Sequence, residues 1–203
     1  MAIDLATMYG WIVRELAEDR GIRESMERLI AQCASQNPHP QWQRLEALPF
    51  EDTSAFRDWI ERPFRFDPPP EPLAGLWFGL FNPVYEGTVV ADLYVCGSNR
   101  FEPNLEDNDW AVGPDWWPEH RYANSSVLAS VYKIAYERGG LGNDAEYPLC
   151  LAYAGLVVRD LLKSEVARVI LESAGRVGVA VGFDSGDFVL LGRVVETGLL
   201  PFG

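Results

Sequence analysis

The apolar positions of this chain keep a helical period near its start and through its middle, and run as strand-like segments elsewhere. Leu5, Met8, Tyr9, Ile12 and Leu16 recur at helical spacing after Asp4, a residue suited to an N-cap, and the run stops at Gly21. Ile22, Met26, Leu29, Ile30 and Cys33 repeat the pattern, which predicts an antiparallel helical hairpin with both apolar stripes on one core. A third helix is expected from Thr53 or Ser54, carrying Phe56, Trp59 and Ile60. The segment ERPFRFDPPPEP, residues 61–72, holds five prolines that fix φ and remove amide donors. It should end the helical part and form a stiff strap across the surface.

After the connector the composition turns to β-branched and aromatic residues. LAGLWFGLF (73–81) and TVVADLYVCG (88–97) flank the turn-like NPVYEG and predict a β-hairpin. VGVAVGF and FVLLGRVV flank DSGD and predict another, with Gly186 supplying a positive φ in the turn. Between the hairpins, NSS (124–126) opens a helix with Val127, Leu128, Val131, Ile134 and Ala135 on one face. A second helix, Ala145 to Lys163, is apolar almost all round from Leu149 to Val158, the mark of a buried helix, with Pro148 in its first turn. Residues 164–175 read as a further helix capped by Ser164, with a strand as the alternative. The expected class is α+β: a mostly antiparallel sheet of four or more strands, helices packed on one face, and an N-terminal helical hairpin. A single domain is expected over 1–203, with a helical part (1–62), a Pro-rich connector (63–72) and an α+β core (73–203).

Composition narrows the function classes. The 203 residues are 48% hydrophobic and 12% aromatic, enough apolar surface to offset the entropy of ordering the chain. No basic n-region precedes a long apolar stretch and charges interrupt every hydrophobic run, so a soluble, cytoplasmic protein is expected. Cys33, Cys96 and Cys150 are far apart, with no CxxC pair, and read as buried thiols. Arginine outnumbers lysine 15 to 2, a usage that hints at a GC-rich bacterial genome. The net charge is −13, and residues 73–122 concentrate it, with 8 acids against 2 bases. Nucleic acids and anionic membranes require a positive footprint, so neither is an expected partner, whereas a cationic protein is.

The usual catalytic sets are missing from the sequence. His39 in NPHPQ and His120 in WPEHRY form neither HExxH nor a helical pair, so no zinc or other metal is expected. GxSxG does not occur; GFDSGD has the wrong spacing and lies in the predicted turn, while GRVGVAVG lacks GxGxxG spacing and leads into a strand. There is no GxxxxGK[ST], and LEDND (105–109) lacks the ligand order and central glycine of a calcium loop. No cofactor is expected.

What stands out is FEPNLEDNDWAVGPDWWPEHRY, residues 101–122, with six carboxylates and three tryptophans against one arginine. Each indole can bury about 150–250 Å², so at least two of the three rings are expected to pin the loop to the core while the acids stay in solvent. The result would be a negative rim around an aromatic base, with Glu102, Glu106, Asp107, Asp109, Trp110, Asp115, Trp116 and Trp117 as the contact set for a basic protein. In this overall charge and aromatic character the chain resembles the acidic immunity proteins with which bacteria neutralise toxin domains, many of them nucleases. The resemblance is one of composition and assigns no residue a role; it implies a non-catalytic inhibitor. Two other readings stand beside it. One is a small hydrolase, for example carbohydrate-active, using acids beside the aromatic loop. The other is a module that self-associates through a sheet edge, with Leu73–Phe81 or Phe188–Val195 as the edge strand.

Overall fold

The helices α1 (Leu5–Ala17), α2 (Ile22–Gln36), α3 (Gln41–Glu46) and α4 (Ser54–Phe66) precede the first strand in a computed structural model that describes residues 2–51, 53–104, 109–163, 165–184 and 186–202. The Asp4 carboxylate accepts the Thr7 amide at 2.8 Å and the Thr7 hydroxyl at 2.9 Å, which caps α1 as its sequence predicts. α3 is too short to show a periodic stripe, and the sequence did not reveal it. Tertiary contacts hold it: the Trp42 indole donates to the Asn37 carbonyl at 2.8 Å, and the buried Gln41 amide donates to the Ile134 carbonyl at 2.6 Å while accepting the Leu141 amide at 2.9 Å.

α4 corrects the expected boundary of the connector. It runs through Pro63 to Phe66, because the missing amide costs one intrahelical bond while Pro63 and Phe64 bury on the face shared with Trp59 and Ile60. The proline strap therefore begins at Asp67. Beyond it lie β1 (Gly75–Phe81), a two-stranded ribbon of β2 (Val84–Tyr85) and β3 (Thr88–Val89), β4 (Asp92–Ser98) and β5 (Tyr122–Ala123). Helices α5 (Ser126–Ala135), α6 (Asn143–Leu161) and α7 (Glu165–Ala174) follow, then β6 (Gly178–Phe183), β7 (Phe188–Val195) and β8 (Gly198–Leu200). The Ser125 hydroxyl caps α5 by accepting the Leu128 amide at 3.1 Å. α6 starts two residues earlier than expected, which places Pro148 in its second turn. The segment after 164 is helical, although its expected cap, Ser164, lies outside the described residues.

Among the described residues the main sheet has the order β5-β4-β1-β6-β7-β8, antiparallel at every pairing except β1 with β6. Both predicted hairpins form, and Gly186 takes φ +119° between β6 and β7. The parallel pairing is what the sequence does not disclose. It joins the two hairpins edge to edge across the chain between Ser98 and Gly178, so β1 lies inside the sheet and β7 is flanked by β6 and β8. Neither strand proposed as a self-association edge is the sheet's outermost strand. The edges are the two-residue β5 and the three-residue β8, short in the way that blunts edge-to-edge pairing.

Helices pack on one face of this sheet. Leu76, Phe78, Leu80, Leu93, Val95, Val179 and Val181 join a core that also holds Met8 and Ile12 of α1 and Phe56 of α4. α6 lies against β1, β6 and β7 with α1, α2, α5 and α7 around it, which explains its apolar circumference. Tyr153 of α6 is fully buried, with Phe50 and Phe56 ring centroids 5.7 and 6.1 Å away. The three thiols are free and buried as expected; burial pushes Cys33 and Cys96 up to about 12 and also raises Cys150. No helix among the described residues is long and apolar enough to cross a membrane.

Candidate functional site

Strand side chains alternate between faces, and on the face away from the helices β1 and β6 place glycine against glycine. Gly75 pairs with Gly178 and Gly79 with Gly182, flanking the pair Trp77 and Ala180. The four glycines make room for rings. A Cβ on Gly178 would stand 2.2 Å from the Phe101 ring, one on Gly75 2.7 Å from Phe101 and 2.9 Å from Trp110, and one on Gly79 2.2 Å from Tyr94. Trp77, Cys96, Trp110, Ala180 and Phe188 form a second, smaller core here, with Phe101 packed against it. The loop after β4 thus clads the open face of the sheet, anchored where the backbone has no side chains in the way.

Gly178→Ala tests this floor. Overpacking is expected to lower the unfolding free energy by about 1–3 kcal/mol, and proteolysis within 99–121 should quicken. Gly10→Ala in α1, where an added Cβ meets nothing within 4 Å, should instead stabilise by about 0.5–1 kcal/mol. Urea unfolding of both variants separates local crowding from a general intolerance of alanine.

The expected contact residues divide into three groups. Trp110, in a 3-10 turn Asp109–Ala111, is buried against Phe101 and Trp77, with ring centroids 4.8 and 6.0 Å away. Trp116 is equally buried but faces the other core: its ring lies 4.9 Å from Phe64, its indole N–H donates to the Asp67 carbonyl at 2.8 Å, and its backbone pairs with Gly97. These two rings anchor the loop and leave almost no surface of their own exposed. Asp115 holds the loop together, accepting the Asn99 amide at 2.7 Å and the Ser98 hydroxyl at 3.3 Å.

The second group is exposed. Glu102 and Asp109 face solvent, and Trp117 retains 45% of its surface. Its ring packs 5.3 Å from Tyr94, and the Arg121 guanidinium lies 4.8 Å from the Trp117 centroid and 4.5 Å from that of Tyr122. Glu106 and Asp107 form the third group, which lies outside the described residues.

The structure adds residues that the sequence reading missed. Tyr94 and Tyr122 are cross-strand partners, and Phe81 lies 5.7 and 5.3 Å from their rings. The Tyr94 hydroxyl donates to Asp184 at 2.8 Å, which brings a carboxylate from the β6–β7 turn to this surface. Burial, then the bond to Asp184, raises the Tyr94 phenol, so it remains a neutral donor. Strand parity in DLYVCGS was the available signal, because it turns Tyr94 to the face opposite Leu93 and Val95. The surface is therefore an aromatic patch of exposed Trp117 and Tyr122 on half-buried Phe81 and Tyr94, with Arg121 laid over it and Asp184 at its margin.

Among the described residues no three His, Cys, Asp or Glu side chains gather as a metal site. Clefts among the described residues lie outside the patch, and no described acid of residues 101–122 lines either of two prominent ones. One of them, about 430 Å³, contains the buried Asp92, which accepts the Ser125 amide at 3.1 Å and the Tyr85 hydroxyl at 3.0 Å. Among the described residues it is the only carboxylate in that lining, whereas glycoside hydrolysis needs two.

Burial raises the Asp92 carboxyl above its ordinary range, against the lowering effect of its two donors. The folded chain thus holds this proton to higher pH than the unfolded chain does. The stabilisation from Asp92 is present below the ordinary carboxyl pKa and is lost as pH rises through the raised folded value. In urea titrations in which pH rises from the ordinary carboxyl value of about 4, the wild type should lose stability relative to Asp92→Asn.

No family model, characterised protein or solved structure matches the chain, so function has to be inferred from the site itself.

Proposed function

We propose that this chain is a non-catalytic, cytoplasmic binding protein that neutralises a basic protein partner, of the kind bacterial immunity proteins oppose to toxin domains. The observation that carries this reading is the aromatic patch in which Trp117 and Tyr122 are exposed over the half-buried Tyr94, on an acidic molecule with net charge −13. Trp and Tyr held rigid at a surface bury large areas at low entropic cost. Glu102, Asp109 and Asp184 supply the long-range attraction that raises encounter rates.

The test is association kinetics with a cationic toxin domain encoded beside this gene. Trp117→Ala should weaken binding by about 30-fold or more, chiefly through faster dissociation. Replacing Glu102 and Asp109 by their amides should instead slow association and flatten its salt dependence. An association rate indifferent both to salt and to these carboxylates would sink the proposal.

A further inference from the structure

The cleft of about 430 Å³ that holds Asp92 borders the aromatic patch on the same face of the sheet. Asp92 pairs across to Phe81, and Tyr94, two residues further along β4, turns to the same side. β5 carries the relation onward. Tyr122 pairs with Tyr94, and just past it the chain brings Asn124 and Ser125 to Asp92, whose Oδ1 accepts the Ser125 amide. The exposed Tyr85 of the β2–β3 ribbon closes the other side, with its hydroxyl on Oδ2. Burial, then Asp92, then Tyr122 raise the Tyr85 phenol, so the two tyrosines lie close together at the rim.

The charge in this cleft is one-sided. Among the described residues no Lys, Arg or His lines it. The Asp92 carboxyl is acted on by burial, the Ser125 amide and the Tyr85 hydroxyl, with no cation among them. A second acid stands behind the wall: the Asn82 amide donates to the Val90 carbonyl, in the lining, at 3.1 Å and to the buried Glu146 carboxylate at 3.2 Å. The start of α5 also meets Asp92, but its partial positive charge is about half a unit against a full carboxylate. Acceptor capacity remains as well. A carboxylate offers about four lone pairs, and its two neutral donors take two of them. The exposed Asn124 amide and Ser126 hydroxyl add acceptors at the mouth. A buried carboxylate held by neutral donors favours a cation, and an ammonium, with three donors and no acceptor, suits such a ring of oxygens.

We propose that this cleft is the socket for one lysine side chain of the basic partner, with the ammonium on Asp92 and the aliphatic stem across Tyr122, a role that rests on the binding function proposed above. The first probe needs no partner. It is n-butylammonium, titrated into the isotope-labelled full chain at about pH 8, well above the carboxyl range. Saturable NMR shifts of the Ser125 and Ser126 amides are expected, with affinity about five-fold or more weaker in Asp92→Asn and no saturable shift from n-butanol. The second measurement is dissociation of the cationic toxin domain. Asp92→Asn should speed it about ten-fold or more and leave the salt dependence of association as in wild type, the reverse of the Glu102 and Asp109 amides. Should the asparagine variant melt early, Ala129→Lys sets an ammonium of the chain's own at the cleft from α5, and should both block n-butylammonium and speed dissociation. No saturable shift, equal shifts from n-butanol, or n-butylammonium binding with unchanged partner dissociation in a folded variant would each overturn the socket. A wild-type chain that binds no such domain would overturn the reading beneath it, and the socket with it, whatever n-butylammonium does.

Discussion

Trp116→Ala should unfold the protein far more readily than Trp117→Ala, although the two residues are neighbours. The Trp116 ring is buried between Phe64 and the Asp67 carbonyl, and its backbone is bridged to Gly97 on β4. Truncating it removes a large buried side chain, leaves the Asp67 carbonyl without its indole donor, and opens a cavity where α4 meets the sheet. A loss of about 3–5 kcal/mol is expected. Trp117 is half exposed and rests on Tyr94 and Arg121. Its truncation forfeits stacking and cation–π contacts, at most about 1 kcal/mol. Urea unfolding of the two variants gives stability, and partner association gives function. The expected pattern is crossed, with Trp116 governing the first and Trp117 the second. Equal destabilisation by both would mean that Trp117 is a core residue and that the aromatic patch is not a contact surface.

That contrast also marks how far the sequence can be read. Periodicity located α1, α2, α5, α6 and both hairpins, because each of these elements repeats one apolar face over several turns or pleats. It was silent on α3, β5 and β8, which are too short to repeat anything, and the prolines of 61–72 set the end of α4 too early, because burial of Phe64 outweighs the hydrogen bond lost at Pro63. A loop has no period at all. The 101–122 segment therefore showed that some indoles must be buried but not which, and the split between Trp110 on the open sheet face, Trp116 on the helical side and Trp117 in solvent is set by tertiary packing. One local signal did exist. Glycines four residues apart in both GLWFG and GVAVG fall on one face of a strand, and paired in register they announce a floor for rings from elsewhere in the chain.

Arg159→Met should cost about 3–4 kcal/mol, although Arg159 forms no ion pair among the described residues. The last turn of a helix leaves carbonyls without amide partners and carries partial negative charge. Here Nη1 reaches the carbonyls of Glu15, Leu16 and Glu18 at 3.3, 2.9 and 2.6 Å, and Nη2 that of Arg20 at 2.7 Å, so one side chain of α6 closes α1 and the turn into α2. Methionine keeps much of the apolar stem but strands these acceptors near the core, at about 1–3 kcal/mol for each that water does not reach. Arg159→Lys should recover less than half of the loss, because a compact ammonium cannot span four carbonyls as the planar fork does. Hydrogen exchange supplies the spatial check: amides in the last turn of α1 should lose protection in the methionine variant before those of α6. A methionine variant within about 1 kcal/mol of wild type would show that solvent already reaches the end of α1 and that the guanidinium does not close the helix.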